Sequence, residues 1–105
     1  MAQVIWLEPA ELDLEEIAEY IALDDPEAAI EFVARVLKRV RLLIDHPRIG
    51  TFIPELSESK YRQLIVGPCR IFHRIEEDKV YIVHIRRSEQ LFRPSLLDEV
   101  DTAAS

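Results

Sequence analysis

Between Tyr61 and Phe92 the chain reads YRQLIVGPCRIFHRIEEDKVYIVHIRRSEQLF, three short β-rich stretches separated by two turn signals. Strict alternation runs through Cys69 to Ile75, placing Cys69, Ile71, His73 and Ile75 on one face and Arg70, Phe72 and Arg74 on the other. The first face reads as buried and the second as cationic. Glu76-Glu77-Asp78-Lys79 is a polar break, after which Val80 to Arg86 sets Tyr81, Val83 and Ile85 on an apolar face against Ile82, His84 and Arg86. These two strands are expected to form a hairpin. Tyr61 to Val66 is a third strand, ended by Gly67-Pro68, where glycine supplies the positive φ of a tight turn and proline cannot extend a central ladder. The three strands define an antiparallel meander.

Two helices are expected before it. After a short strand, Gln3 to Leu7, Pro9 suits a first helical turn, and Leu14, Ile17, Ala18 and Ile21 recur on one helical stripe. Asp25-Pro26 supplies a side-chain acceptor at an N-cap and proline at the first helical position. The second helix then carries a wider stripe of Ala29, Phe32, Val33, Val36, Leu37, Val40, Leu43 and Ile44, ended by Pro47 and Gly50. Only Asp24-Asp25 separates the helices, so they should form an antiparallel hairpin covering one side of the sheet and leaving the other open. Residues 51–60 show no usable periodicity and read as a loop, and Pro94 to Val100 suits a short C-terminal helix or tail. The expected class is α+β, in the order β-α-α-β-β-β, as one domain over residues 1–105.

The formal net charge of −7 conceals two unlike halves. Residues 1–60 carry 13 acidic and 6 basic side chains, whereas Tyr61 to Arg93 carries 4 acidic and 7 basic, and no Lys or Arg precedes Arg35. An anionic partner would therefore be met locally, on the arginine face, and not by the first helix. Cys69 is the only cysteine, which excludes an intramolecular disulfide and a cysteine metal cluster and marks Cys69 as a small core residue. His46, His73 and His84 lack metal-ligand spacing, and neither a metal nor another cofactor is expected. His46 reads as a helix C-terminal dipole partner and His73 as a structural residue of the packed face. No segment approaches the ~18 continuous apolar residues of a membrane span. The N-terminus also lacks the basic and apolar regions of a signal peptide, so the cytoplasm is the expected compartment.

With these residues in view, the chain resembles the ParE/RelE superfamily of type II toxin–antitoxin toxins, also called plasmid stabilization proteins. The resemblance rests on EPAELDLEEIAEYIALDDPEAA in the first helix and its connection, HPRIG after the second helix, and YRQLIVGPCRIFHRI followed by VYIVHIRRSEQLF in the sheet. It implies a helical hairpin packed on an antiparallel sheet. It also implies a cognate antitoxin, encoded alongside, that wraps and neutralises the toxin in a hetero-oligomer.

The superfamily divides into two activities. RelE-like members are ribosome-dependent mRNA endonucleases whose basic side chains activate the 2′-hydroxyl and stabilise a pentacoordinate phosphate, which requires fixed positive charge and proton transfer. By resemblance, Arg70 matches an arginine of the second meander strand and Arg86 one at the end of the last. Arg62 replaces a lysine, and Leu64 stands where a second lysine would be. Phe92 stands where some members have a catalytic tyrosine, and Ser88 where another branch has a histidine. His84 or Glu89 could supply the missing proton acceptor, although a strand histidine among apolar neighbours also suits a structural role. ParE-like members instead bind DNA gyrase and need only a docking surface, here drawn from Arg70, Arg74, Arg86, Arg87 and Phe92. Arg74, close to Glu76, Glu77 and Asp78, equally suits a surface ion pair. The substitutions at Leu64, Ser88 and Phe92 and the acidic first half favour the gyrase-binding branch, with the ribosome and its mRNA as the alternative target. A degenerate, non-toxic homologue that still binds antitoxin is a third reading.

Overall fold

The computed structural model describes residues 1–56, 60–88 and Leu97. The element order is β1 (Gln3–Trp6), α1 (Glu8–Ala22), α2 (Pro26–Arg41), β2 (Thr51–Phe52), β3 (Tyr61–Val66), β4 (Cys69–Glu76) and β5 (Lys79–Arg87). Three-residue 3-10 turns at Leu42–Ile44 and Pro54–Leu56 follow α2 and β2. The two helices and the five-stranded sheet are the expected α+β arrangement, with strand order β1-β5-β4-β3-β2.

The meander has the expected antiparallel pairing, but the sheet as a whole is mixed. β1 lies parallel to β5, from Gln3 opposite Lys79 to Trp6 opposite Ile82. A parallel neighbour requires a long crossover, and α1 and α2 lie within that connection. Thr51–Phe52, within the expected loop, pairs with Gln63 and Arg62 as a short edge strand. Two residues are too few to show a period, which is why the alternation test missed them.

Local chemistry accounts for the helix ends. Pro9 sits in the first turn of α1, where its missing N–H costs no helical hydrogen bond. The Asp25 carboxylate accepts the Ala28 N–H at 3.1 Å, as an N-cap should. Lys38, Arg39 and Arg41 occupy the last turn of α2, where positive charge complements the helix dipole.

The main core lies between the hairpin and one sheet face. Ala10, Ile17, Phe32, Val36, Val40 and Leu43 pack there against Leu64, Val66, Cys69, Ile71, Val80, Ile82 and Ile85. Cys69 is a buried free thiol, as read from its strand position. Leu37 departs from the expected buried stripe and is 40% exposed, beside Leu14 and Ala18 of α1.

The opposite sheet face is not open. Ile53, Tyr61, Phe72, Val83 and Leu97 form a second buried cluster there, flanked by Leu7, Leu56 and Tyr81. The expected faces of β5 are also corrected. Phe72 pairs with His84 and His73 with Ile82, so Val83 is the extra residue of a bulge. Below it Val80 and Ile82 face the helices while Tyr81 and Val83 join the second cluster, and above it Ile85 returns to the helix side.

Candidate functional site

β4 and β5 bring Arg70 and Arg86 directly opposite one another, so both side chains leave the sheet on the face away from the helices. Arg70 is engaged on three sides. Its Nε donates to Gln63 Oε1 at 2.9 Å, its Nη1 and Nη2 donate to the two oxygens of Glu55 at 3.0 and 2.8 Å, and its guanidinium lies 5.0 Å from the Phe72 ring centre. The Arg70 hydrogen bonds hold the Glu55 carboxyl below its ordinary range. Glu55 reaches this point from the 3-10 turn whose neighbours Ile53 and Leu56 cover the second cluster.

Arg62 does not join them. It faces His73 across the β3–β4 pair, on the helix side. Its Nη1 donates to the carbonyls of Gly50 at 3.0 Å and Arg48 at 3.3 Å, and its guanidinium stacks 4.7 Å from the Phe52 ring centre. Arg62 thus fastens the HPRIG loop to the sheet edge.

Arg74 is almost wholly buried. It donates from Nε to Glu76 Oε1 at 3.2 Å and lies 4.5 Å from the Tyr81 ring centre. The ion pair with Glu76 is present, but it engages a buried guanidinium and not the surface residue expected. Arg87 emerges on the helix side and stacks 4.2 Å from the Tyr20 ring of α1. With Arg86, Asp13, Glu16, Ile17, Tyr20 and Ile85, it lines a recess of about 150 Å³ between α1 and the upper end of β5.

His84 is held by a residue the sequence reading did not single out. The Asp13 carboxylate of α1 lies 2.6 Å from His84 Nδ1, and the same oxygen accepts the Ile85 N–H at 3.0 Å. β1 stops at the level of Ile82, so among the described residues no strand continues along that edge of β5, and Asp13 serves as the acceptor for the Ile85 N–H. A carboxylate one turn from Ile17 on a helix due to pack beside the last strand was the available signal.

His73 is fully buried on the helix side, and among the described residues neither ring nitrogen has a hydrogen-bond partner. Burial, followed by the nearby charge of Arg62, lowers its pKa to about 4. The ring is therefore neutral at physiological pH. Glu89 and Phe92, the other residues singled out, lie outside the described residues, as does the expected C-terminal helix apart from Leu97. Among the described residues no three His, Cys, Asp or Glu side chains are grouped to hold a metal ion, and no helix is long and apolar enough to cross a membrane.

A helical hairpin on one side of a mixed sheet, with Arg70 and Arg86 paired across its last two strands, is the α+β arrangement that the resemblance to the ParE/RelE superfamily implied. Residues 4–92 match the family described as "ParE toxin of type II toxin-antitoxin system, parDE". The chain belongs to this family and is a type II toxin–antitoxin toxin. It is 32% identical over 92 residues to Toxin RelE2 of Caulobacter vibrioides, an alignment covering 87% of this chain and 100% of that protein. Its fold matches a solved chain of the chromosomal ParDE toxin–antitoxin system of P. aeruginosa with a TM-score of 0.68, at 24% identity, over 83% of this chain and 96% of the other.

Proposed function

We propose that this toxin arrests growth by binding DNA gyrase, with no phosphodiester chemistry of its own. In this reading a cognate antitoxin, encoded beside it, neutralises it in a cytoplasmic hetero-oligomer. The engagement of Arg70 by Glu55 carries the choice. An RNA-cleaving site needs cationic donors aimed at the phosphate and free to strengthen their bonds as charge develops. Here the two terminal nitrogens of Arg70 already serve a carboxylate, and Arg62 is turned to the far face against backbone carbonyls. Two of the three arginines that resemblance assigns to phosphate are therefore committed elsewhere. A docking surface has no such requirement.

One observation favours the endonuclease alternative. With Asp13 on Nδ1, His84 is oriented as a general base would be, beside the Arg70–Arg86 pair, and Nε2 is the nitrogen left for proton exchange. The name of the relative Toxin RelE2 leaves this alternative open.

The assay that separates these readings adds purified toxin in parallel to a gyrase supercoiling reaction and to a ribosome programmed with mRNA. Loss of supercoiling with trapped gyrase–DNA complexes and intact message is the expected result. Cleavage of A-site mRNA with normal supercoiling would overturn it in favour of the endonuclease. Inactivity in both, with antitoxin still bound, would identify a non-toxic homologue.

A further inference from the structure

The outward side of α2 is charged in two blocks of opposite sign. Ala29, Phe32, Val36 and Val40 bury one side of this helix, and Glu27, Glu31, Ala34, Lys38 and Arg41 run exposed along the other. On one flank of that stripe stand Ile30 and Leu37, 71% and 40% exposed. The stripe is acidic before Ala34 and basic after it. This segregation sets like charges a turn apart, Glu27 beside Glu31 and Lys38 beside Arg41, which is mildly unfavourable within one helix. Among the described residues none of these four takes part in an ion pair. Complementing the helix dipole accounts for acids first and bases last, but not for Ile30 and Leu37 at solvent.

Turned end for end, the stripe complements itself. In an antiparallel pair of α2 helices related by a two-fold axis at Ala34, each residue faces the one as far beyond Ala34 as it lies before it. Glu27 then meets Arg41 of the second copy, and Glu31 falls beside its Lys38. Ile30 and Leu37, seven positions apart and so on one flank, come together across the axis. Each contact occurs twice, as an isologous interface requires. Alanine at the crossing lets the two backbones approach closely. A parallel pair would set acid on acid and base on base, which costs binding energy.

We infer that α2 pairs antiparallel with α2 of a second copy of this chain, in a homodimer whose register is fixed by Glu27 against Arg41 and Glu31 against Lys38. The helix has 16 residues and so runs for about 24 Å. The contact therefore falls at the small end of specific interfaces, and the dimer should exchange rapidly and weaken with salt. Arg70 and Arg86 leave the sheet on the face away from the helices, so the pairing turns the arginine face of each copy outward.

Sedimentation velocity of the purified full-length chain tests this. The wild type should shift from one chain to two as concentration rises, and added salt should move the midpoint upward. The double variant Lys38→Glu, Arg41→Glu makes the stripe wholly acidic, and Glu27→Lys, Glu31→Lys makes it wholly basic. Each alone should weaken pairing by roughly tenfold or more, because like charges then face each other across the axis. An equimolar mixture of the two should pair at least as tightly as wild type, a rescue that a folding defect in either variant could not produce. Ala34→Cys leaves the charges untouched and should give a disulfide-linked dimer under mild oxidation, since the axis brings the two positions within bridging distance. Thr51→Cys, on the exposed edge strand, should not. A wild type that stays one chain at every concentration, a dimer that survives both reversals, or a mixture of folded variants that fails to pair would overturn the inference. Should either double variant fail to fold, the Ala34→Cys result decides, and absence of its cross-link overturns the inference equally.

Discussion

The guanidinium of Arg70 is bracketed by the two carboxylate oxygens of Glu55, 2.8 and 3.0 Å from its terminal nitrogens. Bidentate geometry is the strongest form of this pair, yet Glu55 remains substantially exposed, so water competes for it. A double-mutant cycle of Glu55→Ala and Arg70→Ala, followed by urea denaturation, should give a coupling of no more than about 1 kcal/mol. The coupling should fade in acid, because a carboxylate whose pKa is lowered on folding stabilises above its unfolded pKa and loses that contribution as pH falls through the folded value. A coupling unchanged by acid would show that the pair is not held by charge.

His73 sets a second and separate pH dependence. Its folded pKa of about 4 lies below the ordinary imidazole value of 6.5, so the unfolded chain binds the extra proton between these values. Stability is complete above the unfolded pKa and falls as pH is lowered toward about 4, by on the order of 3 kcal/mol at about 1.4 kcal/mol per unit. Urea midpoints measured at pH 7 and near pH 4.5 should differ in this direction for wild-type protein. In His73→Leu the difference should shrink markedly, leaving only what other groups contribute.

The same histidine explains Gly50. A Cβ added at Gly50 would stand 2.6 Å from His73 Nε2 and 3.0 Å from the Gln63 carbonyl oxygen. Gly50→Ala should therefore cost about 1–3 kcal/mol by overpacking. Truncating His73 to Ala removes one of the two collisions, so the penalty of Gly50→Ala should be smaller in that background. Equal penalties in both backgrounds would place the strain at the Gln63 backbone instead.

These relationships show where periodicity succeeds and where it stops. The β4 faces, the Asp25 cap and the burial of Cys69 follow from rules spanning a few residues, and each is found as expected. Arg62 was equally legible, since its companions at alternate positions, Leu64 and Val66, are the apolar ones and mark the helix side. The grouping of Arg62 with Arg70 came from the resemblance and not from this parity, which places Arg62 opposite His73. The bulge at Val83 was less accessible, because a run of Val80, Ile82, Val83 and Ile85 is apolar in either phase. Pairings such as Arg70 with Glu55 and His84 with Asp13 span 15 and 71 positions and depend on tertiary packing that no local pattern encodes.

Asp13 bears on stability independently of any catalytic role for His84. Its single Oδ2 serves both the His84 ring and the Ile85 N–H, beyond the point where β1 stops pairing with β5. Asp13→Ala should cost about 1–3 kcal/mol, because the partly enclosed backbone donor loses its acceptor. His84→Ala leaves that backbone bond in place and should cost less. The reverse order would mean that the imidazole, not the strand edge, is what Asp13 supports.

α2 supplies the sharpest contrast between adjacent positions. Val36 is fully enclosed against the sheet, whereas Leu37 lines an apolar groove with Trp6, Leu14, Ala18 and Val33 between the two helices. A carboxylate at position 36 would be buried without a partner, so Val36→Asp should remove several kcal/mol, enough to unfold a domain of ordinary stability. Leu37→Asp instead places its charge at solvent and should leave a cooperative thermal transition within a few degrees of wild type. Its effect should fall on binding, because the groove has an apolar floor flanked by Glu11 and Glu15 and suits the nonpolar face of a partner helix. Circular dichroism melts of both variants, paired with antitoxin titration of Leu37→Asp, separate the two roles. A Leu37→Asp protein that fails to fold would return Leu37 to the core, and one that folds and binds antitoxin at full strength would remove this groove from the interface.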